Sequence, residues 1–313
     1  MELRQLHYFL AVAKHESFTR AAEHVHVSQP SLSVQISALE DELGTRLLDR
    51  LGRKVIVTQA GELFRQHAER ALRELDEAAQ VVQELHGAAR GRLVVGTLST
   101  VNSYLIPPLV SRFKQRFPGI HLHIHAQPST EIVSGLLSNH LDIGICLLPL
   151  THPQLTTVPL FEERLCLVAP ASSGIHQRRL RMRELAALPL ILMPADYCLR
   201  RMVEGECAKA GILPQVALEM SSPEGILHAV SEGAGMTILP ELYVRLRLPG
   251  ADLQIVDIYD PTPRHAVGLA YLKNRHQNLA AKEFANLCQT TMKDLLSEST
   301  RIPTIKVRSR PTG

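Results

Sequence analysis

The sequence lacks any apolar run of about 18 residues, so no segment is long enough to cross a bilayer as a helix. Its first residues lack the basic-then-apolar order of a secretion signal. The five cysteines are odd in number and include no closely spaced pair of the kind that binds zinc, as expected in a reducing compartment. These absences predict a cytoplasmic protein with no membrane partner.

Motifs that would indicate an enzyme are also missing. There is no HExxH pair, no phosphate-binding glycine loop, and no serine, histidine and aspartate in the order of a hydrolase triad. We therefore expect no catalytic residue, no resident cofactor and no metal. The formal net charge of +3 is too small to indicate nucleic-acid binding, so such a role must depend on where the charges lie.

Two short helices separated by a tight turn are predicted over residues 17–40. Thr19 is expected to cap the first helix, and Ser28 the second, with Pro30 in the first turn, where its missing N–H costs nothing. The second helix carries an apolar stripe at spacings i, i+4 and i+7, formed by Leu32, Ile36 and Leu39. This pattern is typical of a helix-turn-helix.

The opposite face of the second helix carries hydroxyl and amide side chains instead of the usual lysine and glutamate. Such side chains suit base edges and phosphates in a major groove. A helical hairpin in an unrelated core is the alternative that spacing alone leaves open. The candidate DNA contacts are Thr19, Arg20, Ser28, Gln29, Pro30, Ser31, Ser33 and Gln35.

A turn and short β-hairpin are predicted over residues 50–58, as in the wing of a winged helix. Its basic residues are Arg50, Arg53 and Lys54, which would lie over the phosphate backbone or the minor groove. A merely solvated loop is the alternative interpretation.

Several motifs in residues 1–61 occur together: Leu6-x-x-Phe9, Ser17-Phe18-Thr19-x-Ala21-Ala22, Ser28-Gln29-Pro30-Ser31-Leu32-Ser33, Gln35-Ile36-x-x-Leu39-Glu40 and Thr58-x-x-Gly61. On these motifs, residues 1–58 resemble the DNA-binding domain of LysR-type transcriptional regulators, and the resemblance continues to about residue 295. One position departs from the family pattern: Val34 stands where the family often carries arginine, which removes a phosphate or base contact.

A long helix capped by Thr58 is predicted from Gln59 to Ala88. Its apolar residues follow a heptad pattern, and charged residues fill its other faces, so a compact monomer could not bury it. A second copy of the chain is the simplest partner, and it would bring two reader helices to two half-sites. A helix packed on its own protein is the alternative. The predicted dimer seam is Phe64, Ala68, Ala71, Leu75, Ala78, Val82 and Leu85.

Strands and helices alternate after residue 90, which predicts parallel sheets with crossover helices. The expected fold is therefore α/β, with an N-terminal all-α winged helix-turn-helix, a long linker helix, and two Rossmann-like α/β lobes. We assign residues 59–90 to the linker helix and hinge, 91–164 with 266–296 to lobe I, 165–265 to lobe II, and 297–313 to a basic tail predicted to be disordered. The lobes resemble the effector-binding half of LysR-type regulators, itself similar to periplasmic solute-binding proteins.

Three predicted helix starts converge on the cleft between the lobes, and helix N-termini favour anions. The resemblance implies that this cleft holds a small effector, often a carboxylate, although ordinary helix caps would also explain the serines and threonines. A looser likeness to the subgroup that contains the cyanate-operon regulator does not fix the ligand. The implied effector contacts are Ser99, Thr100, Val101, Ser129, Thr130, Cys146, Tyr197, Cys198 and Leu199.

Cys198 and Cys207 are candidates for a different signal, an oxidant that reacts with a thiol instead of an effector that binds in the cleft. A helix N-terminus with Arg200 and Arg201 nearby would favour the Cys198 thiolate. The two cysteines resemble, in spacing, the redox pair of the peroxide-sensing branch of the family, but Tyr197 stands where that branch has histidine. A disulfide between them would require their helix to unwind, which favours two unrelated thiols in a small-molecule site.

The favoured function is thus a ligand-responsive DNA-binding regulator, not an enzyme. Its expected partners are promoter DNA, a small effector, RNA polymerase, and further copies of itself in a homodimer or homotetramer. A thiol-based peroxide-responsive regulator of the same fold is the first alternative. A small-molecule-binding protein or an enzyme on a periplasmic-binding-protein fold is the alternative from another class.

Overall fold

The computed structural model describes residues 1–51, 54–85, 91–247, 252–273, 275 and 278–299. It divides into two compact units, Met1–Ala88 and Ala89–Gly313. Among the described residues, no helix combines the length and the apolar character needed to cross a membrane.

The first unit is a three-helix core followed by a hairpin and a long helix. Its elements are α1 (Leu3–His15), α2 (Phe18–His24), α3 (Gln29–Leu43), β1 (Leu48–Leu51), β2 (Lys54–Val57) and α4 (Gln59–Leu85). The predicted stripe of α3 is confirmed as its buried face, because Leu32, Ile36 and Leu39 are at most 1% exposed.

The helix caps of this unit follow the prediction at one helix and not at the other. The Ser28 hydroxyl accepts a hydrogen bond from the Ser31 N–H at 3.3 Å, so the predicted cap of α3 is confirmed. The predicted Thr19 cap is wrong, because Ser17 caps α2 by accepting from the Arg20 N–H at 3.4 Å. Phe18 is buried as the first residue of α2, which moves the cap to the residue before it.

Thr58 joins the hairpin to α4. Its hydroxyl donates to the Arg46 carbonyl at 2.8 Å and accepts from the Gly61 N–H at 2.9 Å, which is the cap predicted for this helix. A Cβ at Gly61 would collide with the Leu47 carbonyl oxygen, so only glycine lets the first turn of α4 approach the hairpin so closely.

The second unit is a mixed α/β domain. Its elements are β3 (Gly91–Thr97), α5 (Ser99–Tyr104), α6 (Ile106–Arg116), β4 (Ile120–Ala126), α7 (Ser129–Leu137), β5 (Ile143–Leu148), β6 (Leu155–Pro170), β7 (Arg179–Arg181), a 3-10 helix (Met182–Ala187), β8 (Pro189–Leu192), α8 (Cys198–Lys209), β9 (Gln215–Glu219), α9 (Pro223–Ser231), β10 (Thr237–Pro240), α10 (Glu241–Arg247), β11 (Leu253–Tyr259), β12 (Arg264–Leu272) and α11 (Leu279–Ser299). The last helix includes the first residues of the predicted tail, and residues 300–313 lie outside the described residues.

The parallel sheet predicted for lobe I is confirmed for β3, β4 and β5. The strands that join the two lobes run antiparallel instead, since β12 pairs with β5 and β6, and β6 pairs with β10 and β11. The main sheet has the order β4-β3-β5-β12-β6-β11-β7, with β10 also paired to β6, and β8 and β9 form a separate parallel pair. The chain thus passes between the lobes along the antiparallel strands.

Strand β6 contains a proline and still pairs along its length. Pro159 lies opposite Gly268, and the register shifts between Val267 and Gly268, as in a β-bulge, where a strand tolerates a proline. A Cβ at Gly268 would lie 2.8 Å from the Val158 carbonyl oxygen and 2.5 Å from a Leu148 methyl carbon, so glycine is required there.

Candidate DNA interface and signal site

The face of α3 opposite its buried stripe is open to solvent. Gln29, Pro30 and Ser31 are exposed, and Ser33 and Gln35 are half-buried. Ser28 is exposed at the helix start, and Thr19 and Arg20 are exposed on α2. All eight residues predicted to contact DNA from these helices therefore have at least part of their surface available to a ligand.

Arg50 lies between the hairpin and α3. Its Nη2 donates to the Ser33 hydroxyl at 2.8 Å, and its guanidinium stands over the Phe18 ring, 4.2 Å from the centroid. These contacts hold a cation next to the exposed face of α3, and an arginine that is already ordered loses less entropy when it binds a phosphate.

The remaining positions of the predicted interface differ in charge. Lys54 forms a surface ion pair with Glu16, at 3.3 Å, which neutralises part of its charge. Arg53 lies outside the described residues. Val34, the position that departs from the family pattern, is 65% exposed, so an apolar side chain occupies this part of the face.

The predicted seam of α4 changes character along the helix. Phe64 packs edge to face on Phe9, with ring centroids 5.4 Å apart, and Ala68 is buried, so the first turns pack on their own unit. Further along, Ala71, Leu75, Ala78 and Val82 are exposed, and Leu75 is 48% exposed. The side chain of Leu85 lies outside the described set.

In the second unit, the sheet brings the starts of α5 and α7 together. Thr97, at the end of β3, pairs with Ala126 on β4 and with Ile145 on β5, and the Gln127 N–H donates to the Thr97 carbonyl at 3.0 Å. Because parallel strands end at one edge, Ser99 and Ser129 begin their helices close to Cys146.

Neither α5, α7 nor α8 has a side-chain cap. Their cap positions are Leu98, Pro128 and Tyr197, and Ser99 and Ser129 are the first residues inside their helices. The Ser129 hydroxyl is buried and makes no hydrogen bond within the described part of the chain. The ordinary-cap explanation of these two serines is therefore not supported by the geometry.

The other predicted effector contacts divide by burial. Thr130 is exposed, while Tyr197 and Cys198 are half-buried. Thr100 is 7% exposed. Val101 and Leu199 belong to the core, so they could reach a ligand only through their backbone.

Cys198 is the first residue of α8 and lies near Cys146. Burial, followed by the charge of the neighbouring Cys198, raises the pKa of the Cys146 thiol to about 12, which indicates that the two side chains lie within electrostatic reach of each other. All five cysteines are reduced, and Cys198 alone among them is not buried. Cys198 is therefore the thiol open to a small reagent.

Cys207 lies deeper, on the same helix. Its side chain is fully buried, and burial followed by the charges of Glu204 and Glu206 raises its pKa to about 11. Nine residues of helix place its Cα roughly 13 Å from that of Cys198, whereas a disulfide needs Cα atoms within about 7 Å.

The arginine expected to favour the Cys198 thiolate has other partners. Arg200 is buried, and its guanidinium contacts Glu204 at 2.7 Å, Glu219 at 3.0 Å and the Met193 carbonyl at 3.0 Å. Arg201 donates to the Asp196 carbonyl at 2.8 Å. Two carboxylates thus compensate the charge of Arg200, and its main effect is to anchor α8 to β9.

One polar cluster in the structure was not predicted from the sequence. Glu163 on β6 and His265 on β12 face each other in register, with Oε1 and Nε2 2.8 Å apart and both side chains at most 4% exposed. The two residues are 102 positions apart, so no local pattern could pair them. The segment Phe161 to Ala169 also contains Glu162 and Arg164, so no local pattern singles out Glu163 as a buried carboxylate.

A winged helix-turn-helix followed by a two-lobed α/β domain defines a DNA-binding regulator with a separate small-molecule domain. Residues 3–62 match the model described as "Bacterial regulatory helix-turn-helix protein, lysR family", and residues 86–293 match "LysR substrate binding domain". The chain belongs to the LysR family of transcriptional regulators. It is therefore a DNA-binding regulator with an effector-binding domain, and not an enzyme, which excludes the alternative from another class.

Three known proteins illustrate the relationship. The hydrogen peroxide-inducible genes activator of Pectobacterium carotovorum subsp. carotovorum is 33% identical over 286 residues, which cover 90% of this chain and 95% of that protein. The DNA-binding transcriptional dual regulator OxyR of Escherichia coli (strain K12) is 34% identical over 286 residues, covering 90% and 94%. The crystal structure of full-length CbnR with its target DNA is 27% identical, with a TM-score of 0.73, and covers 93% of this chain and 100% of that one. As a family member, this chain binds promoter DNA.

Proposed function

We propose that this regulator reads its promoter with α3 and Arg50 and receives hydrogen peroxide as its signal at Cys198. The observation that carries the second part is the position of Cys198, the one incompletely buried thiol, at the start of α8. Two relatives that match 90% of the chain are named as a hydrogen peroxide-inducible activator and as OxyR, which supports the same input.

The chemistry requires only the thiol and peroxide. The Cys198 thiolate attacks one peroxide oxygen, the O–O bond breaks, and the other oxygen leaves as water after taking up a proton. The sulfur is oxidised to a sulfenic acid and the peroxide is reduced. If Cys207 then forms a disulfide with Cys198 and releases a second water, α8 must unwind, because the intact helix keeps the two Cα atoms about 13 Å apart.

A small anion in the same site is the second candidate. It is favoured by the buried Ser129 hydroxyl, which has no partner within the described residues, at the uncapped start of α7. An anion there would accept hydrogen bonds from Ser129 and from the free N–H groups of the first turn. We also propose that the regulator contacts RNA polymerase, assembles as a tetramer and is located in the cytoplasm.

Replacing Cys198 by serine is expected to abolish the response to peroxide. The measurement is a DNA footprint of the full-length chain on the region upstream of its own coding sequence, with and without peroxide. Cys288→Ser is the matched control, because that thiol is fully buried and should not react. A peroxide-induced change that persists in Cys198→Ser would overturn the proposed input. In parallel, formate, benzoate and inorganic phosphate test the second candidate, which predicts a change that is lost in Ser129→Ala.

Replacing Gln29 by alanine is expected to weaken binding to the cognate site by about 1–3 kcal/mol, because a base-edge hydrogen-bond partner is lost. Non-specific binding should be unchanged, since it depends on phosphate contacts. Fluorescence anisotropy at fixed salt measures both. Ser37→Ala, an exposed residue of the same helix outside the predicted contacts, is the control. Equal losses for the two variants would contradict the assignment of the reading face.

A further inference from the structure

Strand β6 is shared by both lobes. Its first part, Leu155 to Arg164, pairs with β12, and its second part, Leu165 to Pro170, pairs with β10 and β11. The Leu165 N–H donates to the Pro263 carbonyl at 3.0 Å, just before β12 begins. Two of the chain segments that join the lobes therefore cross at this point, and a change in lobe orientation must bend the chain near it.

A buried pair of a carboxyl group and an imidazole occupies this crossing. Glu163 and His265 are one pair from the end of the β6–β12 pairing, which closes with Arg164 and Arg264, and their side chains bond across the strands. Buried polar groups are costly unless their hydrogen-bonding positions are filled. Here Glu163 Oε2 and His265 Nδ1 are both buried and have no hydrogen-bond partner within the described residues.

Tyr104 brings a third polar group to the pair. It is the last residue of α5, it packs edge to face on Phe161, and it is 3% exposed. Burial raises the pKa of Tyr104 well above its ordinary value, and the neighbouring Glu163 carboxylate raises it further. The hydroxyl is close to Glu163, yet the contact falls short of a well-formed hydrogen bond within the described part of the chain.

We call the region around Ser99, Ser129, Cys146 and Cys198 the signal site. Helix α5 has one end at the signal site and the other at the crossing. It begins with Ser99 and Thr100, and it follows Thr97, the strand partner of Ile145, next to Cys146. Near its end, Ser103 Oγ also meets Glu224 Oε1 of α9, at 3.4 Å. A shift of the first residues of α5 would therefore move the whole six-residue helix, including the Tyr104 hydroxyl at its end.

We propose that α5 and the buried cluster of Tyr104, Glu163 and His265 couple the signal site to the orientation of the two lobes. In the present arrangement the Tyr104 hydroxyl and Glu163 Oε2 lack hydrogen-bond partners within the described residues. In a second arrangement, a small shift of α5 brings this hydroxyl onto Glu163 Oε2, and the two atoms form a hydrogen bond. The signal biases the choice between the two arrangements. Tyr104, Glu163 and His265 act as positioning residues that touch neither peroxide nor DNA. The inference rests on the proposed function for its signal.

The test compares Tyr104→Phe and Glu163→Gln with Glu162→Gln in the full-length protein on its promoter DNA, with hydrogen peroxide as the probe. Glu162 is the exposed neighbour of Glu163 and undergoes the same change of group, so it is the matched control. Tyr104→Phe removes a single oxygen atom and leaves the buried ring in place, which keeps the test valid if Glu163→Gln folds poorly.

In Tyr104→Phe and Glu162→Gln, two quantities should stay within about twofold of their values in the unaltered protein. These are the extent of Cys198 oxidation, measured by mass spectrometry, and the affinity of the reduced protein for DNA. The peroxide-induced footprint change should be lost in Tyr104→Phe and in any folded Glu163→Gln, and it should persist in Glu162→Gln. If Cys198 is oxidised and Tyr104→Phe still responds fully, the coupling is refuted while the proposed function stands. If Cys198 of the unaltered protein stays reduced, the proposed function fails, and the coupling fails with it.

Discussion

Replacing Leu75 by lysine is expected to lower the apparent affinity for a two-half-site promoter by roughly 10²- to 10⁴-fold. Leu75 lies on the predicted seam of α4 and is 48% exposed within its own unit. A lysine there would put a charge into the contact between two copies and separate them. Each reader helix would then bind alone, and the gain from linked binding of two half-sites would be lost.

Leu63→Lys is the control for this prediction. Leu63 is 60% exposed on the same helix but lies outside the seam, so its replacement adds the same charge without entering the contact. Anisotropy titration on one-site and two-site DNA, with sedimentation to report the assembly, measures both variants. A Leu75→Lys protein that remains an oligomer and binds two-site DNA normally would refute the seam.

Replacing Leu32 by alanine is expected to lower the free energy of unfolding of the first unit by about 2–5 kcal/mol. The Leu32 side chain is fully buried between the helices of this unit, and its truncation leaves a cavity that close-packed neighbours cannot fill. Such a loss is large compared with the usual stability of a small domain. DNA binding should fail with it, because α3 no longer holds its position.

Hydrogen exchange of the α3 amides in the full-length chain measures this effect, since these amides exchange when the unit opens. Val34→Ala is the control: the same helix loses apolar atoms at a position that is 65% exposed, and its effect should stay within about 0.5 kcal/mol. Unchanged protection of α3 in Leu32→Ala would show that this side chain does not support the reader helix.

The local features of the first unit were predictable because nearby residues determine them. Leu32, Ile36 and Leu39 share one helix face through their spacing alone, and Ser28 caps through an adjacent turn. The Thr19 cap failed by two residues because burial of the Phe18 ring sets where α2 begins, and that depends on packing. A sequence pattern reports periodicity more reliably than the last residue of an element.

The signal site was predictable in part. The rule that helices begin beyond the ends of parallel strands places Ser99 and Ser129 together, without any knowledge of their contacts. The engagement of Arg200 by Glu219, and the pairing of Glu163 with His265, depend on register between distant segments. The partners lie 19 and 102 residues apart, beyond the spacing that a helix or strand pattern reports, so these contacts became visible only in the folded chain.

We propose that this LysR-family regulator changes its contacts with promoter DNA when peroxide oxidises Cys198. The most direct measurement is a footprint of the unaltered full-length chain on the DNA upstream of its own coding sequence, before and after peroxide. We predict a long protected region, as two bound half-sites require, whose boundaries or internal cleavage pattern change on oxidation and return on reduction. A protected region that is identical under both conditions, with Cys198 shown to be oxidised, would contradict the account.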